Sequence, residues 1–314
     1  MRIGVLVDSA CDLPKCFMEE HGVVVMPITL RIGHALVEDR RDPAETLAFY
    51  ETHLDRKFED FSESIPYSSE QIERLFLDRL VLDFDYVFCL TITSTRSQIY
   101  DNAMQASRAI LSKYKQVRRD AGVPERFGLA VVSSRNMFAG QAIQAAEAIR
   151  LIRAGSTPRE IGARLRELVD LTHAYLLPSD LFHIYKRASK RGEKSFGWRS
   201  YMVGSMLDVK PILHCNQDAT VPVAKVRGFE AGAEKLFANA AARVRSGLAA
   251  PCVCISYGGP LDKLPALPGY SELLRAAVEC NVTVHVSPMS KTAAVNVGPG
   301  AVALAFAAVG QTLQ

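Results

Sequence analysis

The chain has 314 residues, of which 48% are hydrophobic and 23% charged, and its formal net charge at pH 7 is only +3. This length and composition predict a globular protein of about two domains with a large core. The balance of 37 basic and 34 acidic residues argues against a protein built around nucleic-acid binding. No apolar run approaches the ~18 residues that a membrane span needs.

The amino terminus and the cysteines together favour a cytoplasmic location. Asp8 interrupts the first apolar run, which is therefore too short for the central region of a signal peptide. The seven cysteines are odd in number and irregularly spaced, and most lie in apolar surroundings. Reduced thiols are the expected state.

Strands and helices alternate through the first half of the chain. Strands are predicted at residues 2–7, 23–30, 86–92 and 128–132. Helices are predicted from a cap at Asp12 to Gly22, after Asp42, after Ser68, from Ser97 to about Tyr114, at residues 140–154, and after Thr157. This alternation is typical of a parallel sheet with helices on both faces.

The second half of the chain has a different order of predicted strands and helices. Strands are predicted at residues 172–177, 209–214, 221–227, 252–257 and 282–286, with helices at residues 230–245 and 271–280. A strand at residues 293–297 and an apolar helix at residues 301–308 complete the chain. Because only residues 216–220 separate two of the strands, a hairpin and hence a mixed sheet are expected.

We therefore predict an α/β fold of two domains. Residues 1–165 form an amino-terminal α/β/α domain with a parallel sheet, and residues 166–314 form a carboxyl-terminal α/β domain with a mixed sheet. The last strand and helix are candidates for packing back at the domain junction.

Common enzyme signatures are absent from the sequence. It contains no dinucleotide-binding glycine motif, no phosphate loop, no nucleophile elbow and no pair of histidines at metal-ligand spacing. Cys252 and Cys254 share one face of a predicted strand, which without a second pair favours core packing over a metal site. His173, His214 and His285 are expected to be structural.

The most informative segment is the polar turn that follows the strand at residues 86–92. Thr93, Ser94, Thr95 and Arg96 come directly after the strand, and Ser97 then begins a helical pattern. Free backbone N–H groups and hydroxyls at such a place favour an anion. The alternative is that Ser94 or Ser97 only caps the helix.

Four further polar turns lie at comparable positions. They are residues 8–9, 62–67, 133–134 and 296–300. In the last of them, Gly298 and Gly300 would let the backbone approach a ligand closely at a helix start. Together the five turns suggest one rim around a ligand.

Six segments resemble, in the correct order, the motifs of one known family. They are residues 7–14, 26–33, 93–103, 207–213, 224–227 and 298–300. Over nearly its whole length the chain resembles the DegV family of bacterial fatty-acid-binding proteins, with residues 93–103 in the place of that family's Ser-Ser-x-Leu-Ser-Gly-Thr-Tyr motif.

The resemblance implies that a long-chain fatty acid is the ligand, with no other cofactor and with its carboxylate at the domain junction. The family's second motif Ser corresponds to Ser94, and the hydroxyl of its neighbouring loop corresponds to Ser62 or Ser64. Asn296 stands where the family usually has a His. The expected ligand-binding residues are Ser94, Thr93, Ser62, Ser64, Asn296, Gly298 and Gly300.

The same resemblance implies an interaction partner. Some members present the acid to a separate ATP-dependent fatty-acid kinase, and a basic run replaces the family's Gly-Gly-Arg-Ile segment here. The expected docking residues are Arg187, Lys190, Arg191 and Arg227. A solvated loop is the alternative for this run.

Two classes of function remain open from the sequence. The first is non-catalytic binding of the fatty acid. The second is a hydrolase or transferase that uses Ser94 as a nucleophile on a lipid-like acyl substrate, which requires a base within hydrogen-bond reach. Asn296, the nearest candidate that the family alignment offers, cannot act as that base.

Overall fold

The computed structural model describes residues 1–53, 62–190, 207–310 and 313, without the side chains of residues 53, 62 and 187–190. The strands are β1 (Ile3–Asp8), β2 (Val24–Met26), β3 (Ile28–Ile32), β4 (Ala35–Asp39), β5 (Ser62–Ile65), β6 (Tyr86–Thr91), β7 (Gly128–Ser133), β8 (Thr172–Leu177), β9 (Val209–Asn216), β10 (Ala219–Arg227), β11 (Cys252–Tyr257), β12 (Thr283–Pro288) and β13 (Val302–Ala307). The helices are α1 (Lys15–Glu20), α2 (Pro43–His53), α3 (Ser69–Leu75), α4 (Val81–Asp83), α5 (Ile99–Ala109), α6 (Tyr114–Asp120), α7 (Ala139–Arg153), α8 (Pro158–Leu171), α9 (Phe182–Lys190), α10 (Phe229–Ser246), α11 (Tyr270–Glu279) and α12 (Lys291–Val297). A π-helical turn, Phe76–Leu80, joins α3 to α4.

Two large sheets and one small sheet organise the chain. The first large sheet is parallel, with strand order β2-β1-β6-β7. The second is mixed, in the order β10-β9-β8-β13-β11-β12. β9 and β10 form the predicted antiparallel hairpin, and β4-β3-β5 form the small sheet. The predicted α/β fold with one parallel and one mixed sheet is confirmed.

The Ala-rich helix α7 lies between the two large sheets. It contacts β1 and β6 on one side and β8, β11 and β13 on the other. All its residues from Ala139 to Ile149 are buried. The buried polar side chains of this helix, Gln141, Gln144 and Glu147, have partners inside the protein, and its many small side chains let the two sheets approach it closely. A second core lies between the mixed sheet, α10 and α11.

The predicted helix at residues 301–308 is wrong, because this segment is strand β13. Ala303 and Ala305 belong to the core that contains α7, whereas Leu304 and Phe306 belong to the second core. Side chains therefore alternate between two covered faces of a central strand. Because both faces are apolar, the period of two does not appear as an alternation of polar and apolar residues.

The predicted strand at residues 293–297 is also wrong, because it is helix α12. Ser290 caps this helix, and its Oγ accepts a hydrogen bond from the Ala293 N–H at 3.0 Å. The final pair of elements is therefore a helix followed by a strand. The turn at residues 298–300 leaves a helix instead of beginning one.

Three smaller expectations also change. Asp12 does not cap α1, which begins after Pro14 without a side-chain cap. The single strand predicted at residues 23–30 is divided between β2 and β3, which lie in different sheets, with Pro27 between them. The helix predicted up to Tyr114 ends as α5 at Ala109. The helix starts predicted after Ser68 and Thr157 are confirmed, and both have capping boxes.

The predicted domain boundary at residue 165 lies inside α8, which leads directly into β8. Within the described part of the chain, we find no helix with the length and hydropathy needed to span a bilayer.

The close fit between β13 and α7 gives a stability prediction. Ala303→Leu places a larger side chain on the face that α7 covers, and we expect it to lower the free energy of unfolding by about 1–3 kcal/mol through overpacking. Ala35→Leu is the control, because Ala35 is exposed on β4, and it should change stability by less than about 0.5 kcal/mol. Equal denaturant midpoints for the two variants would contradict the tight packing.

Candidate functional site

The polar turns of the parallel sheet meet at its carboxyl edge. β1, β6 and β7 run in the same direction, so the residues after each strand end at one side. The Ile92 N–H donates to Asp8 Oδ2 at 2.7 Å, and the Thr93 N–H donates to the Asn136 carbonyl at 3.0 Å. Backbone and carboxylate contacts therefore hold the turn after β6 between its two neighbours.

Ser94 is exposed in this turn, as is Thr95. It forms no hydrogen bond to any residue that the structure describes, and it does not cap α5. Ser97 instead accepts a hydrogen bond from the Ile99 N–H at 3.3 Å. The Ser97 hydroxyl thus contacts the first residue of α5, whose N-cap residue Gln98 makes no side-chain cap bond, and the Ser94 hydroxyl is available to a ligand.

Thr93 is buried, and its hydroxyl is already engaged. It donates to Asp218 Oδ1 at 2.6 Å, while Arg135 Nε donates to Asp218 Oδ2 at 2.5 Å. Asp218 lies in the hairpin turn between β9 and β10, so the tip of the mixed sheet contacts the turn after β6. The sequence analysis missed Asp218 and Arg135, because turn residues far apart in sequence give no pairing signal.

The loop that follows β5 lies beside α5. Asn102 Nδ2 donates to the Tyr67 carbonyl at 2.7 Å. Ser64 is half-buried and pairs with Leu30 in the small sheet. The backbone of Ser62 pairs with Ile32, but its side chain lies outside the described residues.

The segment from Asn296 to Gly300 is shaped by local backbone contacts. Asn296 Nδ2 donates to the Thr292 carbonyl one turn earlier at 2.7 Å. Gly298 has φ 91°, and a Cβ there would lie 2.7 Å from the ring of His183. The Gly300 N–H already donates to the Gly258 carbonyl at 2.7 Å. The expected helix start at this turn is wrong, because α12 ends at Val297. The Gly300 N–H already has a hydrogen-bond partner within the protein.

Two buried aspartates from the amino-terminal half hold the first turn of α12. Asp12 Oδ1 accepts from the Ser290 N–H at 3.0 Å, and Asp39 Oδ2 accepts from the Thr292 N–H at 2.8 Å. The N–H groups at a helix start need such acceptors. We call Asp12, Asp39, Arg41, Ser290 and Thr292 the α12 clamp.

Arg41 completes the α12 clamp. Its guanidinium lies 3.2 Å from Asp12 Oδ1, and the two side chains are only 4% and 0% exposed. Arg41 also donates to the Pro288 carbonyl at 3.1 Å. Burial raises the pKa of Asp12, and the charge of Arg41 opposes that rise. The sequence analysis missed this group, because each residue alone is typical of a turn or a surface.

Asp8 gives the site a pH-dependent stability. Complete burial raises the pKa of this carboxyl from 3.8 to about 6, against the hydrogen bonds from Ile92, Ala10 and Gln141. Because the pKa is higher in the folded state, ionisation of Asp8 disfavours folding, and its contribution falls as the pH rises from about 4 to 6.

The free energy of unfolding of the parent should therefore fall relative to that of Asp8→Asn across this range. We expect a relative loss of about 3 kcal/mol, at about 1.4 kcal/mol per pKa unit. Denaturant titrations of both proteins at several pH values measure the difference, in which any constant offset from the substitution cancels. A difference that stays flat with pH would contradict the raised pKa.

The expected docking residues are only partly described. Arg227 is exposed at the end of β10, next to the exposed Lys225. The side chains of Arg187 and Lys190 and the whole of Arg191 lie outside the described residues.

The other groups singled out in the sequence are packing residues. Cys252 and Cys254 are buried in the core that contains α7. The rings of His173 and His214 stack, with a contact of 2.9 Å between their nitrogens, and burial lowers the pKa of His214 to about 4. Among the described residues, no group of three His, Cys, Asp or Glu side chains could hold a metal ion.

Known proteins resemble this chain over nearly its whole length. The sequence model of the DegV family, described as uncharacterised proteins, matches residues 2–309. A DegV domain-containing protein of Xanthomonas campestris is 49% identical over 308 residues, which is 98% of each chain. A fatty acid-binding protein of Thermotoga maritima is 25% identical over 309 residues, or 96% of each chain.

A solved structure shows the same fold. The crystal structure of a DegV lipid binding protein from Thermotoga maritima superposes with a TM-score of 0.75, covering 99% of this chain and 100% of the other at 22% identity. The family match over nearly the whole length and the close Xanthomonas relative lead to one conclusion. The chain belongs to the DegV family.

Proposed function

We propose that this protein binds a long-chain fatty acid without catalysing its conversion. The observation that carries the proposal is Ser94, an exposed hydroxyl without a partner among the described residues, in a polar turn at the carboxyl edge of a parallel sheet. Such edges are frequent ligand sites in α/β folds. The fatty acid-binding relative of Thermotoga maritima, which is 25% identical to this chain, supplies the ligand class.

In this proposal the carboxylate lies where the first and second large sheets meet. Ser94 donates to it, and Ser64 of β5 and Asn296 of α12 contribute further polar groups. Thr93 does not contact the ligand in this proposal, because its hydroxyl donates to Asp218. The junction between the proposed domains, residues 1–165 and 166–314, encloses the acyl chain.

Burial of the acyl chain supplies most of the binding free energy, and the carboxylate sets the orientation of the fatty acid. Removing one methylene from water contributes ~0.8 kcal/mol. About a dozen methylenes contribute on the order of 10 kcal/mol before the cost of association. One charge-assisted hydrogen bond is smaller, so its role is to fix which end of the acid reaches the turn.

The geometry favours binding over hydrolysis. A serine nucleophile needs a base within hydrogen-bond reach, and Ser94 has no such partner in the part of the chain that the structure describes. The Asn296 amide donates to its own helix instead. An active-site serine probe and a chromogenic ester test this directly, and rapid labelling of Ser94 would contradict a binding-only role.

Presentation of the acid to a fatty-acid kinase is the finer part of the proposal. It draws on the exposed Lys225 and Arg227 of β10 and on the basic run that includes Arg187, Lys190 and Arg191. Reversing Arg187, Lys190 and Arg191 to Glu should slow association with such a kinase and leave fatty-acid affinity intact. Equal loss of fatty-acid binding would mean that the run contacts the ligand.

Calorimetric titration of delipidated protein tests the proposal as a whole. Palmitic acid should bind tightly with one site per chain, and its methyl ester should bind more weakly because it has no charge for the turn to recognise. Absence of saturable binding by either compound would contradict the proposed function.

A further inference from the structure

The contact between the β9–β10 turn and the turn after β6 places a resident carboxylate at the proposed anion site. Asp218 accepts from the Thr93 hydroxyl at 2.6 Å through Oδ1 and from Arg135 Nε at 2.5 Å through Oδ2. A hydroxyl and a guanidinium that share one carboxylate form a carboxylate-binding arrangement. In this structure, the chain's own Asp218 occupies it.

This arrangement is held by more than the ion pair. The Asp218 N–H donates to the Arg135 carbonyl at 2.9 Å, and Arg135 Nη2 contacts the Gln217 carbonyl at 3.4 Å. Gln217 and Asp218 both have positive φ, 48° and 70°, as in the two-residue hairpin turns that Asn, Asp and Gly favour. The tip of the hairpin is therefore fixed by its backbone as well as by the Asp218 carboxylate.

The residues on both sides of Ser94 contact Asp218, through the Thr93 hydroxyl at 2.6 Å and the Thr95 hydroxyl at 3.4 Å, so a ligand carboxylate at Ser94 would lie close to Asp218. The Asp218 side chain is 24% exposed and that of Arg135 42% exposed, so solvent screens the two charges only in part. Asp218 thus opposes a ligand carboxylate in two ways: it adds a like charge, and it keeps Arg135 occupied. Asp170 is the other acid near Arg135, at 3.8 Å from Nη1.

We infer that Asp218 is a specificity-determining residue that limits the affinity of the site for a ligand carboxylate. The inference rests on the fatty-acid binding proposed above. A binding protein that must release its acid to a partner benefits from such a limit, because Asp218 keeps the Arg135 guanidinium from strengthening the hold on the acid.

Asp218→Asn tests the inference with little change of shape. Asn suits the left-handed turn and keeps an oxygen that can accept from Thr93. Asp170→Asn is the matched control, because it removes the same charge and contacts the same guanidinium but not Thr93. Palmitic acid and hexadecanol are titrated into the delipidated parent and both variants, with thermal melts alongside.

We expect Asp218→Asn to raise the affinity for palmitic acid about threefold to tenfold, the range for one charge near a partly exposed site. The affinity for hexadecanol should stay within about twofold, and Asp170→Asn should leave both within about twofold. Unchanged or lower acid affinity in Asp218→Asn, with normal binding by the parent, would overturn the inference and leave the proposed function standing. If the parent binds neither compound, the proposed function itself fails.

A double variant identifies the cause of the gain. If Asp218→Asn raises acid affinity because Arg135 is released, then adding Arg135→Gln should remove that gain and return the affinity to the parental value or below. A gain that persists in the double variant would overturn the role of Arg135. Should Asp218→Asn melt well below the parent, Asp218→Gly serves in its place, because Gly also adopts the turn's positive φ.

Discussion

Arg41→Met is expected to lower the free energy of unfolding by about 3–5 kcal/mol, because it leaves the buried Asp12 carboxylate without its cation. Asp12 Oδ1 would keep only the Ser290 N–H. The Pro288 carbonyl also loses its donor at the end of β12. The start of α12 should therefore loosen, which urea titration of the parent and the variant measures.

The neighbouring Arg40 provides the control for this prediction. Its side chain is 70% exposed and pairs with Glu38, so Arg40→Met should cost less than about 1 kcal/mol. A second variant separates charge from packing: in Arg41→Met with Asp12→Asn, the unpaired charge is gone and Asn still accepts from Ser290. Part of the lost stability should return. Equal midpoints for Arg40→Met and Arg41→Met would show that the α12 clamp contributes little.

Ser94→Ala is expected to lower the affinity for palmitic acid about tenfold to a hundredfold. The variant lacks one charge-assisted hydrogen bond to the ligand carboxylate, worth roughly 1.5–3 kcal/mol. The affinity for the methyl ester should change little, because the ester carries no charge for that bond to assist. Since Ser94 is exposed and does not cap α5, the melting temperature should stay close to that of the parent.

Ser97→Ala is the matched control for Ser94→Ala. Ser97 accepts from the Ile99 N–H at the start of α5, so its loss should lower stability by ~1 kcal/mol and leave both affinities nearly unchanged. The two serines thus predict opposite patterns in calorimetry and in thermal melts. Parental acid affinity in Ser94→Ala would remove Ser94 from the proposed carboxylate site.

Much of the fold could be predicted because local signals agreed with tertiary packing. The capping boxes at Ser68 and Thr157 placed the starts of α3 and α8 correctly, and the short gap between β9 and β10 predicted their hairpin. The same local signals failed at the end of the chain. There, the Ala-rich β13 is covered on both faces, and only its pairing with β8 and β11 shows that it is a strand.

The candidate site could be predicted only in part, because several of its contacts join distant segments. Ser94 became a candidate because it follows a buried strand, because other polar turns lie at comparable positions, and because it matches the second Ser of the family motif. Asp218 contacts Thr93 across 125 positions, and Asp12 contacts Ser290 across 278. A single Asp in a turn is typical of a helix cap or a surface residue. The local sequence therefore does not predict either contact.

The central claim, that this protein binds a long-chain fatty acid, is tested most directly by native mass spectrometry of the protein purified from a bacterial host, followed by organic extraction. The account predicts a mass above that of the polypeptide by one fatty acid, which extraction releases and identifies. It also predicts that the extracted protein regains that mass when palmitic acid is added. A protein that carries no lipid and takes up none from added palmitic acid would contradict the account.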